Sequence, residues 1–530
     1  MMKPFLLAVL SGLILSIAWP TYGFPLFLFI GFVPLLLAEH FIRTSESKHK
    51  KKLVFFSAYA CFLLFNLSTT WWLYFATPFG MLFANFANAF LMTLVFFAYH
   101  LIASKMATKL SLISLVCLWI GFEKFHLNWE LSWPWLNLGN GFANNYKWVQ
   151  WYEYTGVFGG TLWVWLVNCL LYKSFLNFYT NKNSKLFIKG ILGAVTIIII
   201  GVFSSLYLYE TTETPKEKVR VLVLQPNVDP YTEKYNVSNI SMAQNLINLA
   251  SEKLDSTVAF IIAPETTLPK PRLLKTFEKT QEYLLLHNFI QKNPSATFLS
   301  GITFVNSFTE KDTPNATANF YRNSKEWYNS FNSSFFIQNN KKTETYHKSK
   351  LVVGVEHIPY RAVLNPLLGN SMIDLGGSVS TLTTQKYRKV FSNGSNTMAP
   401  IICYESIYGE YVTDYTHKGA DFFAIITNDG WWNNSQGHKQ HLSMARLRAI
   451  ENRRSIARSA NTGISALINT KGDIMDSLAY EEKGVLKGAI STNKEITFYA
   501  QHGDYIFRIA MLTLVIILLG SFTRRRGSAN

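Results

Sequence analysis

Ala399-Pro400-Ile401-Ile402-Cys403-Tyr404-Glu405-Ser406-Ile407-Tyr408-Gly409-Glu410 is the stretch on which the fold turns. Ala399–Ile402 is a short apolar run with the character of a buried strand, and it ends abruptly on a thiol. The chain has four cysteines. Cys61, Cys117 and Cys169 lie in long apolar runs, where cysteine behaves as a small hydrophobe. Cys403 alone sits in polar surroundings, so a disulfide framework is not expected.

Reading outward, the same pattern repeats. Val219–Leu224 is a buried-strand run ending at Gln225-Pro226-Asn227, and Val258–Ile262 is another, ending at Ala263-Pro264-Glu265. Thr297–Phe304, Ser334–Gln338, Phe422–Ile426 and Ile464–Ile468 read as further strands. Between them Ser241–Lys253, Leu274–Gln291 and Gln440–Arg453 have helical spacing. Strands alternating with helices predict an α/β layered domain over residues 210–504, with reactive side chains at strand ends.

The flanks differ. Hydrophobic residues make up 49% of the 530 and charged residues only 16%, below the usual quarter. The apolar excess sits in runs at 4–19, 24–42, 53–76, 83–103, 111–127, 158–177, 187–209 and 505–522. About 20 apolar residues cross about 30 Å of hydrocarbon, so these read as eight spans. The first is read as a span, not a cleaved leader, for want of a clear small-x-small site. The formal charge of +17 tests that count. Lys3, then Arg43 with Lys48, Lys50, Lys51 and Lys52, then Lys105 and Lys109, then Lys182, Lys185 and Lys189, then Arg524, Arg525 and Arg526 fall on every second loop. Positive charge marks the cytoplasmic side, which puts both termini inside and residues 210–504 outside. The expected division is a seven-span membrane domain (1–209), the outside domain (210–504), and an eighth span with a short basic tail (505–530). No basic-aromatic stripe accompanies the charge, so nucleic acid is not an expected partner. The spans hold few charges, which argues against a transporter. The Trp-rich loop 129–157 reads as an interfacial aromatic belt, or as a lipid-facing rim.

Three residue types carry the chemistry. A thiol nucleophile needs a base to take its proton, and a carboxylate can serve. The oxygen that gains charge in acyl transfer needs a fixed donor, and an ammonium with a backbone N–H can serve. Glu265 follows Ile262-Ala263-Pro264, Lys348 lies in Thr345–Val353, and Cys403 follows Ile402. Each alone reads as an ordinary packed or solvated side chain. Together they meet the needs of acyl transfer without a metal or other cofactor.

The segments I-A-P-E-T-T (262–267), Y-H-K-S-K-L-V (346–352), I-I-C-Y-E-S-I-Y-G-E (401–410) and T-N-D-G-W-W (427–432) resemble the nitrilase superfamily. With the spans included, nearly the whole chain is similar to the bacterial apolipoprotein N-acyltransferase family, through Gln440–Arg458 into Ser459–Gly463. The resemblance implies an αββα sandwich beside the eight-span membrane domain. It implies Glu265 as catalytic base, Lys348 as oxyanion lysine and Cys403 as nucleophile, with Glu356, Tyr404 and Glu405 in support. The implied reaction is ping-pong. Cys403 takes an acyl chain from a membrane phospholipid and passes it to the amine of a diacylated lipoprotein. A monomer in the bacterial inner membrane, with its catalytic domain in the periplasm, is expected.

Candidate lipid contacts are Leu367 and Leu368 in the loop that also holds Leu364 and Met372, then Trp431 and Trp432. Tyr235 stands where the family often carries a Trp. The family's P-F-G-E becomes Val353-Gly354-Val355-Glu356 here, which shifts the glycine. Two other readings compete: a membrane-tethered amidase for small amides, and a receptor with a silent nitrilase-like domain.

Overall fold

The computed structural model describes residues 2–234, 236–308, 317–321, 326–360 and 381–527. Two compact units emerge: Met1–Tyr74 with Phe79–Thr211 and His502–Asn530, and Phe75–Pro78 with Thr212–Gln501.

The first unit is helical. Each of the eight apolar runs falls on helix: Met2–Ala18, Val33–Thr44 with the short turns before it, Lys50–Thr70, Pro78–Ala103, Thr108–His126, Val157–Asn181, Ser184–Thr211 and Tyr505–Gly527. Four stretches are long and apolar enough to cross a membrane by length and composition: Pro25–Thr44, Lys50–Phe75, Pro78–Ala103 and Ser184–Thr211. Met2–Ala18 and Tyr505–Ser521 are apolar but shorter. Pro34 cannot donate to the preceding turn, and the helix breaks at Phe32. Asn168 repairs the break: its Oδ1 accepts from Phe32 N at 2.9 Å and its Nδ2 donates to Leu28 O at 2.8 Å.

The Trp-rich loop is packed into the helical unit along part of its length. Pro134–Phe142 is fully buried, Trp135 included, while Trp129, Trp133, Trp148 and Trp151 are half-buried. Non-helical backbone inside an apolar bundle needs partners. Glu123 supplies one, accepting from Leu138 N at 2.8 Å and from Thr161 at 2.7 Å. At Gly139 a Cβ would stand 2.0 Å from Val157 O, so only glycine lets the loop approach that helix.

The second unit is built on two sheets. Its strands are β1 (Lys218–Gln225), β2 (Phe260–Ile262), β3 (Leu268–Leu273), β4 (Thr297–Phe308), β5 (Asn319–Tyr321), β6 (Glu326–Ile337), β7 (Glu344–His347), β8 (Phe391–Ser392), β9 (Thr397–Ile402), β10 (Phe422–Thr427), β11 (Ile456–Ala460), β12 (Ser465–Ile468), β13 (Ile474–Leu478) and β14 (Gly484–Ser491). One sheet runs β14-β1-β2-β4-β6-β5, with β3 on β4 and β7 on β6; the other runs β13-β12-β11-β10-β9-β8. Strands β1, β2 and β4 are parallel, as are β9, β10 and β11. Alternation along each strand decides the layers. Leu222, Leu224, Ile261 and Phe298 face the helices Asn239–Ser251 and Gln281–Lys292 through Leu246, Leu249, Leu286 and Ile290. Phe260 points the other way, onto Phe422 of the second sheet at 5.1 Å, and Phe336 stacks on Phe391 at 5.0 Å. Helices Gly409–His417 and Gln436–Asn452 follow β9 and β10.

One predicted helix is corrected. Leu274–Gln291 is a 3₁₀ turn at Leu274–Lys279 and then the helix Gln281–Lys292, because Thr280 is extended (φ −78°, ψ 152°).

Candidate active site

Three strand ends meet in the second unit. Glu265 leaves β2 through Ala263-Pro264 and is 6% exposed. Thr266 follows in the left-handed region at φ +45°, a strained place for a β-branched residue. The turn lies so close to β4 that a Cβ on Gly301 would sit 2.3 Å from Thr266 N and 2.7 Å from Glu265 Cα. Gly301 is therefore what allows the Glu265 turn to lie against the sheet.

Lys348 comes directly off β7 and is 1% exposed. Its backbone N donates to Asn332 O at 2.8 Å, which fixes it against β6. Its Nζ donates to Glu265 Oε1 and to Glu356 Oε1, both at 2.9 Å. Burial would strip Lys348 of its charge, but Glu265 and Glu356 outweigh it and hold the ammonium well above its ordinary value. Burial likewise acts to raise Glu265, and the Lys348 charge with its hydrogen bond overcomes it, leaving the carboxyl below its ordinary value.

Cys403 ends β9 and begins the 3₁₀ turn Cys403–Ile407 with φ +50°. A non-glycine residue in that region stores roughly 1–3 kcal/mol and persists only where its surroundings enforce it. They do so here. Ser406 Oγ donates to Cys403 O at 2.7 Å, and the His441 ring reaches the same carbonyl at 3.3 Å. Burial and then the Glu265 charge push the thiol well above its ordinary value, with Lys348 pulling the other way. At rest the sulfur is protonated and neutral.

Glu356 joins this cluster although its glycine is displaced. Gly354 takes φ +78° and Val352 N donates to Glu356 Oε2 at 2.8 Å, so the shifted loop still delivers the carboxylate to Lys348. Glu405 is fully buried behind the nucleophile. Its Oε1 accepts from Tyr346 (2.7 Å), Ser349 N (2.7 Å) and Tyr411 (2.5 Å), and its Oε2 accepts from Ile402 N at 2.9 Å. It ties the Cys403 turn to the segment beside Lys348. Tyr404 is buried, edge-on to Tyr408 at 5.4 Å. Trp431 and Trp432 are half-buried and stand edge-on to Tyr231 (5.3 Å) and His441 (5.6 Å). Tyr235, Leu364, Leu367, Leu368 and Met372 lie outside the described residues.

Residues 220–497 match the family model described as carbon-nitrogen hydrolase. The chain belongs to the carbon-nitrogen hydrolase family. Residues 11–170, ahead of that domain, match the apolipoprotein N-acyltransferase N-terminal domain. A Chlorobaculum tepidum protein named apolipoprotein N-acyltransferase is 27% identical over 99% of this chain and 97% of its own length. Proteins of the same name from Geobacter metallireducens (23% identical, 99% of this chain, 96% of that protein) and Rickettsia typhi (28%, 85% and 82%) are similar in the same way.

Within this carbon-nitrogen hydrolase domain, several side chains escaped the sequence reading. Asn332 Nδ2 bridges Glu265 Oε1 at 2.7 Å and Glu356 Oε1 at 2.8 Å. Its signal was faint: one of two asparagines in a largely buried strand. Lys234 is buried, donates to Thr266 at 2.6 Å and feels the Glu265 charge; burial lowers it to about 8. Below Cys403, Asp429 accepts from Arg458 (2.5 Å) and Thr427 (2.6 Å) and lies 3.1 Å from His441 Nδ1. Burial opposes the Asp429 charge, yet Arg458 and His441 hold its carboxyl far below the usual range. Cys403, Asp429 and His441 offer ligand atoms within 4.8 Å of one another. The donor chemistry does not suit a cation, since Arg458 already supplies the positive charge that Asp429 needs.

Proposed function

We propose that this chain transfers a fatty acyl chain from a membrane phospholipid, through a thioester on Cys403, to the N-terminal amine of diacylglyceryl-cysteine in apolipoproteins. The observation that carries this reading is the convergence of Glu265, Lys348 and Cys403 from three strand ends, in a chain matched along nearly its whole length by proteins of that name.

The geometry supports the following roles. Glu265 takes the thiol proton and the sulfur attacks the ester carbonyl. The Lys348 ammonium faces the negative charge that develops on oxygen. The tetrahedral species collapses, Glu265 returns the proton to the departing glycerol oxygen, and lysophospholipid leaves. The lipoprotein amine then attacks the thioester, gives its proton to Glu265, and the thiol is restored. Glu356 and Asn332 keep Lys348 and Glu265 in register while Glu265 changes charge. Both substrates are anchored in a bilayer, so a membrane-held site shortens their search and orients them.

The membrane arrangement belongs to the same proposal. All eight helices cross a bacterial inner membrane, both termini are cytoplasmic, and the catalytic domain (210–504) faces the periplasm between the seven-span domain (1–209) and the last span (505–530). The protein works as a monomer.

Intact mass spectrometry after incubation with phospholipid tests the chemistry. Wild type gains one acyl chain, Cys403→Ala gains none, and a diacylglyceryl peptide with a free amine discharges the adduct. Absence of an adduct on folded protein, with ammonia released from small amides, would replace this reading with a tethered amidase.

A further inference from the structure

The helical unit carries a groove of 170 Å³ lined by Pro4, Phe5, Phe41, Ile42, Ser45, Ser47, Leu53, Phe56 and Ser57. It opens where the helices Met2–Ala18, Val33–Thr44 and Lys50–Thr70 come together at their basic ends. Its walls are aromatic and aliphatic, and Phe5 and Phe56 are 45% and 62% exposed. Its polar lining is three hydroxyls.

The charge around it is uneven. Arg43 is committed to Glu39, whose Oε1 accepts from its Nε at 2.9 Å, and Lys50 Nζ is spent on Arg43 O at 3.0 Å. Lys3, Lys48, Lys51 and Lys52 are exposed and make no ion pair with any described residue. Each is adjacent in sequence to a groove residue or one removed: Lys3 beside Pro4, Lys48 beside Ser47, Lys51 and Lys52 before Leu53. Ser47 Oγ accepts from His49 N at 3.1 Å, and its own proton has no acceptor among the described residues. An apolar slot with a hydroxyl donor in its lining, flanked in sequence by four exposed lysines that make no ion pair with a described residue, has the chemistry of a lipid with a negative headgroup. Basic pockets between helices on the cytoplasmic side bind such headgroups.

We propose that this groove holds one acyl chain of an anionic phospholipid, whose phosphate is met by Lys3, Lys48, Lys51, Lys52 and Ser47. The inference rests on the membrane-embedded reading above, and it assigns a lipid site made wholly of residues 3–57, with none of the side chains proposed for acyl transfer. The bound lipid is held rather than consumed. It clamps the N-terminal helices together at the end where their own charges repel.

The test uses the full-length protein in vesicles of phosphatidylcholine doped with a phosphatidylglycerol that carries a photoreactive acyl chain. A matched photoreactive phosphatidylcholine is the second arm. Flotation with the vesicles is measured first, and a protein that does not float refutes the membrane reading itself. In floating protein, cross-links are mapped by peptide mass. Each basic side chain at an anionic surface favours binding by about fivefold, so phosphatidylglycerol is expected to label 3–5 and 41–57 at least ~5-fold more than phosphatidylcholine. The triple variant Lys48→Gln, Lys51→Gln, Lys52→Gln is expected to bring that ratio near one, and the triple arginine variant to keep it. Both are expected to retain Cys403 acylation. Equal labelling by the two lipids in wild type would mean ordinary boundary lipid and overturn the proposal. So would labelling confined to other segments.

Discussion

At Cys403 charges of opposite sign act on one sulfur. Burial and Glu265 raise the thiol, Lys348 lowers it, and the balance leaves it protonated. The proposed base is held on the acid side of its ordinary value by the same lysine. Proton transfer from Cys403 to Glu265 is thus uphill at rest and waits for a carbonyl oxygen to share the Lys348 charge. Iodoacetamide is expected to label Cys403 slowly at neutral pH, with the rate climbing as pH rises well above 9; fast labelling at pH 7 would contradict this balance. Lys348→Met removes the ammonium, so the thiol rises further and Glu265 loses its main reason to stay ionised. Acyl-enzyme formation should fall by about 10²–10³-fold, measured by single-turnover mass spectrometry. Lys234 adds a pH dependence of its own. It is charged below about 8 and neutral above. Losing that charge raises the proton affinity of Glu265 and makes it the stronger base. Acylation should therefore rise through pH 8 in wild type. In Lys234→Met the rise should be absent, with the faster rate already present at pH 7.

At the scale of elements, the site depends on how closely backbones pass. Gly301 of β4 leaves room for the Glu265 turn, and an alanine there would need a shift of backbone, not of a flexible side chain. A displacement of about 1 Å in a positioned group can cost about 10²-fold. Gly301→Ala is expected to lower acyl-enzyme formation by that order with Glu265, Lys348 and Cys403 all present, and circular dichroism should show the sheets retained. What was legible in the sequence follows the same division. Strands buried along all or most of their length, such as β10 and β1, announced themselves as apolar runs, and the reactive residues stood at strand ends. The β3 strand did not, because Leu268–Leu273 carries two prolines and two cations. Nor did β13, whose exposed Ile474–Ser477 has no apolar alternation. Asn332 and the Asp429–Arg458–His441 network were illegible for a different reason. Their meaning lies in partners 12 to 67 residues away in sequence, which no local pattern encodes.

For the whole molecule the open quantity is how many helices cross, and parity narrows it. If the four stretches that qualify by length and composition all cross, they would return 43–52, 105–109 and 182–189 to one side and leave 212–501 on the other. Thr108–His126 and Val157–Asn181 can be added only as a pair, since one alone would reverse the side of Lys182–Lys189. Met2–Ala18 and Tyr505–Gly527 each move only a terminus. Four crossings would thus strand Lys3 and Arg524–Arg526 outside, against the charge rule, whereas eight bring them in. Polar residues in Thr108–His126 do not forbid a crossing: Glu123 is fully paired with neutral donors, and Lys124 with Asp504 at 2.8 Å. Cysteines placed singly at exposed sites separate the cases under a membrane-impermeant maleimide applied to intact spheroplasts. Lys292→Cys should label in either topology and serves as the positive control. Asn128→Cys should label only if the middle pair crosses. Lys3→Cys should stay dark until the membrane is opened if the first helix crosses, and a cysteine appended after Asn530 should do the same if the last one does. Labelling of both termini in sealed spheroplasts, with Asn128→Cys dark, would establish four crossings and leave the outer placement of 212–501 intact.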